Sequence, residues 1–87
     1  MLERKAKEKI IEKFKVHPTD TGSPQVQIAL LTAEMKDLSE HLRSHKKDFS
    51  SRRGLLRKVN ERRKLLRYLT RENREAYDEL AVKLKLK

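Results

Sequence analysis

An all-α domain of four helices is what the sequence predicts, with three longer helices packed as a bundle and a more loosely held N-terminal helix. Apolar residues recur at steps of three and four along most of the chain, as one face of a helix requires. Only two glycines and two prolines interrupt the 87 residues, and 41% of them are charged, a helix-forming composition rich in Leu, Lys, Arg and Glu. Size adds a third constraint, because a chain this short buries only about 60% of its unfolded surface. A single domain spanning residues 1–87 is therefore expected, with helices near 3–15, 24–44, 49–71 and 74–85.

The first helix carries Leu2, Ala6, Ile10 and Phe14 every four residues, with Ile11 beside them. So narrow a stripe docks weakly, which predicts the least firmly held helix of the set. Val16 to Ser23 reads as a loop, since Pro18, Gly22 and a Thr-Asp-Thr-Gly-Ser run fall within it. Ser23 before Pro24 is a helix start, Ser as N-cap and Pro where its missing N–H costs nothing. Thr21 and Gly22 read either as part of that turn or as a place where backbone meets a ligand closely.

In the second helix Ile28, Leu31, Met35, Leu38, Leu42 and His45 step by three and four, a bundle seam. Ala29, Leu30 and Ala33 widen it, so more than one neighbour is expected. Gln27 lies off the seam and reads as solvated. His45 continues the seam and should pack, whereas His41, one step off it, should be exposed.

Asp48 opens the third helix as N-cap, with Ser51 at the third helical position. Leu55, Leu56, Val59, Leu65, Leu66 and Leu69 form its apolar stripe, and Arg52, Arg53, Arg57, Lys58, Arg62, Arg63, Lys64, Arg67 and Arg71 lie opposite. Gly54 in the first turns costs about 1 kcal/mol relative to Ala, which predicts a close approach there, by the facing helix rather than a ligand. Asn73 reads as the N-cap of a short last helix whose Tyr77, Leu80, Ala81 and Leu84 share one side.

Charge narrows the function. The formal net charge is +10, and residues 46–74 hold twelve Lys/Arg against three Asp/Glu. Such a concentrated excess is the footprint of a nucleic-acid binder. Lys46, Lys47, Arg52, Arg53, Arg57, Arg63, Lys64 and Arg71 are its candidate phosphate-binding residues. Tyr68, among these cations, reads either as core or as an exposed ring meeting RNA sugar or base edges.

Two other classes stay open. One is a helical interaction module using the Ile28–Leu42 seam for a protein partner. The other is a metal-dependent hydrolase built on His41, His45 and Asp48, for which no further ligand stands out. Without cysteine there are no disulfides or thiolate metal sites. No apolar run is long enough for a membrane span or a secretory signal. A soluble cytoplasmic protein without cofactor, monomeric when free, is expected.

Leu38, His41, Leu42, Asp48, Ser51, Leu55, Leu65 and Tyr68, with His-Lys-Lys-Asp and Ser-Arg-Arg-Gly-Leu-Leu between them, resemble the signature of the bacterial small-subunit ribosomal protein S-fifteen (universal uS-fifteen) family. Asp20-Thr21-Gly22-Ser23 and the run Val26 to Thr32 fit the same family, so the resemblance covers essentially the whole chain. It implies a structural, non-enzymatic component of the small ribosomal subunit. It further implies a primary rRNA-binding protein that holds a three-way junction and adjacent duplex in the central domain of 16S rRNA. Platform assembly with the sixth and eighteenth small-subunit proteins would start there. Thr21, Gly22, Gln27 and Tyr68 fall on the family's junction contacts, and His41, Asp48 and Ser51 on its duplex contacts. A bridge to large-subunit rRNA and repression of its own mRNA are further implications. Phe49, Ser50, Arg74 and Lys85 depart from the family pattern, Lys85 standing where glycine is common.

The chemistry fits that implication. Proteins read A-form RNA through its wide, shallow minor groove, where 2′-hydroxyls and guanine amino groups are exposed. A carboxylate beside a hydroxyl, as at Asp48 and Ser51, suits those donors while the surrounding cations take the phosphates.

Overall fold

A computed structural model of the chain describes residues 3–19 and 22–86. Four helices follow one another, α1 (Arg4–Phe14), α2 (Pro24–Ser44), α3 (Phe49–Glu72) and α4 (Arg74–Lys83). Side-chain caps start three of them where expected. Val26 N–H donates to Ser23 Oγ at 3.3 Å, Ser51 N–H to Asp48 Oδ1 at 3.0 Å and Ala76 N–H to Asn73 Oδ1 at 3.1 Å. Each satisfies one of the donors a helix start leaves free. At α1 the N-cap residue, Glu3, makes no side-chain cap bond.

Two long helices set the shape. α2 with 21 residues and α3 with 24 form an antiparallel hairpin, and at 1.5 Å per residue each runs over about 30 Å. α1 packs on α2 and α4 on α3, both at the end away from the bend. The core sits there, where Phe14 of α1, Val26, Ile28 and Ala29 of α2, Leu69 of α3 and Leu80 of α4 are buried together. Beyond it the hairpin continues as two helices alone. The molecule is accordingly elongated, 40 × 27 × 19 Å with a radius of gyration of 13.6 Å, against about 12 Å for a compact domain of this length. α1 is attached less extensively than α2 and α3 are to each other, with Phe14 its one buried residue and Ile10 and Ile11 half-buried against the core. Leu2, counted in its stripe, lies outside the described residues.

One-ended coverage corrects several expectations. The α2 seam fades from buried Ile28 and Leu31 to half-buried Met35, Leu38 and Leu42. His45 is exposed rather than packed, because α2 ends at Ser44 and His45 leaves the helix as its C-cap. Leu56, placed in the apolar stripe of α3, is 59% exposed, since no helix covers that side near the bend. Lys58 and Arg62 do not lie opposite the stripe. Lys58 Nζ pairs with Glu34 Oε2 at 3.1 Å and Arg62 Nη1 donates to Thr32 Oγ1 at 3.2 Å, both across the α2–α3 interface. Gly54 is not a close-packing point, for a Cβ there would meet nothing within 4 Å.

α4 is the shortest helix, with ten residues, and it stops at Lys83 short of the expected 85. Lys85 adopts φ 59°, Leu86 N–H donates to Ala81 O at 2.8 Å and Lys85 N–H to Val82 O at 3.1 Å. These are the two reversed bonds of a Schellman ending, usually built on glycine. That left-handed position is filled here by a lysine.

Candidate nucleic-acid interface

The bend between α2 and α3 is organised by one carboxylate. Asp48 Oδ1 accepts from Ser51 N–H at 3.0 Å, while Oδ2 accepts from Ser51 Oγ at 2.7 Å and from His41 Nε2 at 2.9 Å. A carboxylate cannot donate here, so His41 carries its proton on Nε2. The His45 ring stacks on that of His41, centroids 4.3 Å apart and planes 8° from parallel, and its Nδ1 donates to His41 O at 3.1 Å. His45 therefore props the His41 ring instead of filling a core. The two Ser51 hydrogen bonds, backbone first and hydroxyl second, and then the His41 bond hold the Asp48 carboxyl well below the usual carboxylate range. It stays ionised, with its side chain one-third exposed and three donors on its oxygens.

This cluster offers acceptors outward. A carboxylate has about four acceptor positions, and three are taken, which leaves one on Oδ1. Ser51 spends its hydroxyl proton on Asp48 and keeps lone pairs. In the tautomer with its one proton on Nε2, His41 has Nδ1 as a further acceptor. Among the described residues no group of three or more His, Cys, Asp or Glu is placed to hold a metal ion.

A second group lies at the other end of the hairpin. Gln27, exposed at the start of α2, is not merely solvated, as its Nε2 donates to Gly22 O at 2.6 Å and ties the loop to the helix. Tyr68 is 47% exposed, which decides against a core role, and the Arg71 guanidinium lies 5.9 Å from its ring centroid. Thr21 lies outside the described residues. Fourteen residues separate Gln27 from His41 along α2, which at about 100° and 1.5 Å per residue puts them on one side about 21 Å apart.

The cations divide by face. Arg57, Lys64 and Arg71 recur every seven residues and form one exposed row on α3 next to Tyr68. Arg63 is exposed on the flank towards α4, where it joins Arg62, Arg67 and Tyr77 in lining an open groove between α3 and α4, Arg71 being shared by the row and the groove. Arg62 and Arg67 were outside the candidate set; both belong to α3, and α4 adds Tyr77 to close the groove. At the bend Lys46, Lys47, Arg52 and Arg53 are all exposed. Arg52 Nη2 also donates to Lys46 O at 2.8 Å, and its guanidinium lies 5.7 Å from the Phe49 ring centroid.

Comparison with known proteins shows the family. The profile of the family described as Ribosomal protein S15 matches residues 7–87. The chain belongs to that family. Its relatives include the "Small ribosomal subunit protein uS15" of Thermoanaerobacter pseudethanolicus, 54% identical over 87 residues, which span 100% of this chain and 99% of that one. The protein of that name from Thermotoga maritima is 54% identical over 95% of this chain and 92% of its own. That from Staphylococcus carnosus is 56% identical over 91% and 89%. An S15-family chain is a structural ribosomal protein of the small subunit, not an enzyme. No helix among the described residues is long and apolar enough to cross a membrane.

Proposed function

We propose that the chain binds the central domain of 16S rRNA as a primary binding protein, gripping a three-way junction with one end of the α2–α3 hairpin and an adjacent duplex with the other. Gly22, Gln27 and Tyr68, with Thr21, take the junction. His41, Asp48 and Ser51 face the minor groove of the duplex. Their unspent acceptors meet guanine amino groups and 2′-hydroxyls, the donors an A-form minor groove exposes. Lys46, Lys47, Arg52, Arg53, Arg57, Arg63, Lys64 and Arg71 neutralise phosphates, giving affinity that falls with salt.

The observation that carries this reading is the common side shared by the two polar groups about 21 Å apart, joined by the exposed Arg57, Lys64 and Arg71 row. A rigid hairpin with contacts at both ends fixes the relative position of two RNA elements. Platform assembly with the sixth and eighteenth small-subunit proteins, a bridge to large-subunit rRNA and control of its own mRNA belong to the same proposal through the family. Nuclease footprinting on naked small-subunit rRNA is the test. Protection is expected at a helical junction in the central domain and along the adjoining duplex, and protection elsewhere instead would overturn the proposal.

A further inference from the structure

Gly54 stands within α3 where nothing in the protein calls for a glycine. No glycine among the described residues has positive φ, so its backbone suits any residue. A Cβ added there would meet nothing within 4 Å, so no neighbouring helix needs the room. Glycine in a helix interior destabilises relative to alanine. The fold gains nothing from this residue and loses helix stability by it.

Its position identifies what the bare backbone faces. Ser51 lies one turn before it and Lys58 one turn after. At about 100° per residue Gly54 lies about 60° from Ser51 on one side and about 60° from the exposed Arg57 on the other, at the half-buried edge of α3. We infer that Gly54 is the point where the RNA strand comes nearest to α3, a ribose of the duplex lying against its Cα. This rests on the RNA-binding reading above and adds a specific residue to it. The geometry suits an A-form minor groove, whose shallow floor is edged by riboses. With Asp48 and Ser51 on the floor, the next helical turn meets the rim about 5.4 Å further along. There a Cα–H approaches sugar oxygens more closely than a methyl group permits. Arg57, exposed on the following turn, takes the neighbouring phosphate.

The consequence is a pair of effects with opposite signs. Gly54→Ala should raise the melting temperature of the free protein by about 4–8 °C and weaken binding to a transcript of the central-domain junction roughly tenfold. Gly54→Leu should weaken it further. Wild-type affinity in Gly54→Ala and Gly54→Leu, with normal binding by the parent protein, would overturn this inference alone. Failure of the parent protein to bind the transcript would overturn the RNA-binding reading and this inference with it.

Discussion

Asp48 takes both hydrogens that Ser51 can offer, the backbone N–H on Oδ1 at 3.0 Å and the hydroxyl on Oδ2 at 2.7 Å. One carboxylate thereby starts α3 and leaves the serine hydroxyl as an acceptor. In the proposed function, folding and recognition share that group, and pH and substitution separate them.

The pH effect follows from the direction of the shift. The folded carboxyl titrates well below its ordinary range, so its contribution is complete above the unfolded value near 3.9. It is lost as pH falls from there towards the folded value. Thermal melts of the parent and Asp48→Asn should differ most above about pH 5, and the gap should close as pH falls towards about 2. A gap independent of pH would remove the ionised carboxylate from the stability of the bend.

Lys85 offers an independent test of the C-terminal ending. A side chain at φ 59° is strained by about 1 kcal/mol, which glycine relieves. Lys85→Gly should therefore raise the melting temperature by about 4–8 °C without altering RNA affinity. An unchanged or lower melting temperature would show that the Schellman turn is not limiting.

Adjacent cations should behave differently. Arg57 is exposed, whereas Lys58 is held against Glu34 with only 24% of its side chain accessible. Arg57→Ala should weaken cognate and random RNA alike and flatten the logarithmic salt slope by about 0.7 to 0.9. Lys58→Ala should lower thermal stability and leave that slope intact. Equal slopes for Arg57→Ala and the parent protein would exclude a phosphate contact at Arg57.

Tyr68 separates the two ends of the hairpin. Its ring is 47% exposed, so Tyr68→Ala should change stability by only about 0.5 kcal/mol. It should weaken a three-way junction RNA clearly more than an isolated duplex carrying the adjacent helix. Equal losses on the two RNAs would take Tyr68 out of the junction.

The local code was legible in the sequence, and the long-range coverage was not. Ser23, Asp48 and Asn73 cap helices with side chains that reach only three residues ahead, so their patterns announce themselves. The tip of the hairpin misled because a spaced apolar stripe looks the same whether or not another helix covers it. His45 and Leu56 continue their stripes beyond the reach of α1 and α4, and both are exposed. Lys58 and Arg62 read as surface cations until Glu34 and Thr32 arrive from α2, 24 and 30 residues away. Likewise the Gln27–Gly22 bond depends on how the loop folds back, and nothing in either residue type signals it. Of the candidate site, the capping pair Asp48 and Ser51 followed from spacing, whereas the His41 bond to that carboxylate emerged only with the bend in place.

The most direct test of the double use of Asp48 is the ratio of affinities for the central-domain junction RNA and a random RNA of equal length, measured on Asp48→Ala under conditions where it remains folded. The ratio should fall well below that of the parent protein, the loss appearing mainly on the cognate RNA, together with a lower melting temperature. An equal loss on both RNAs would contradict readout by Asp48 and leave it a helix cap within a general polyanion-binding surface.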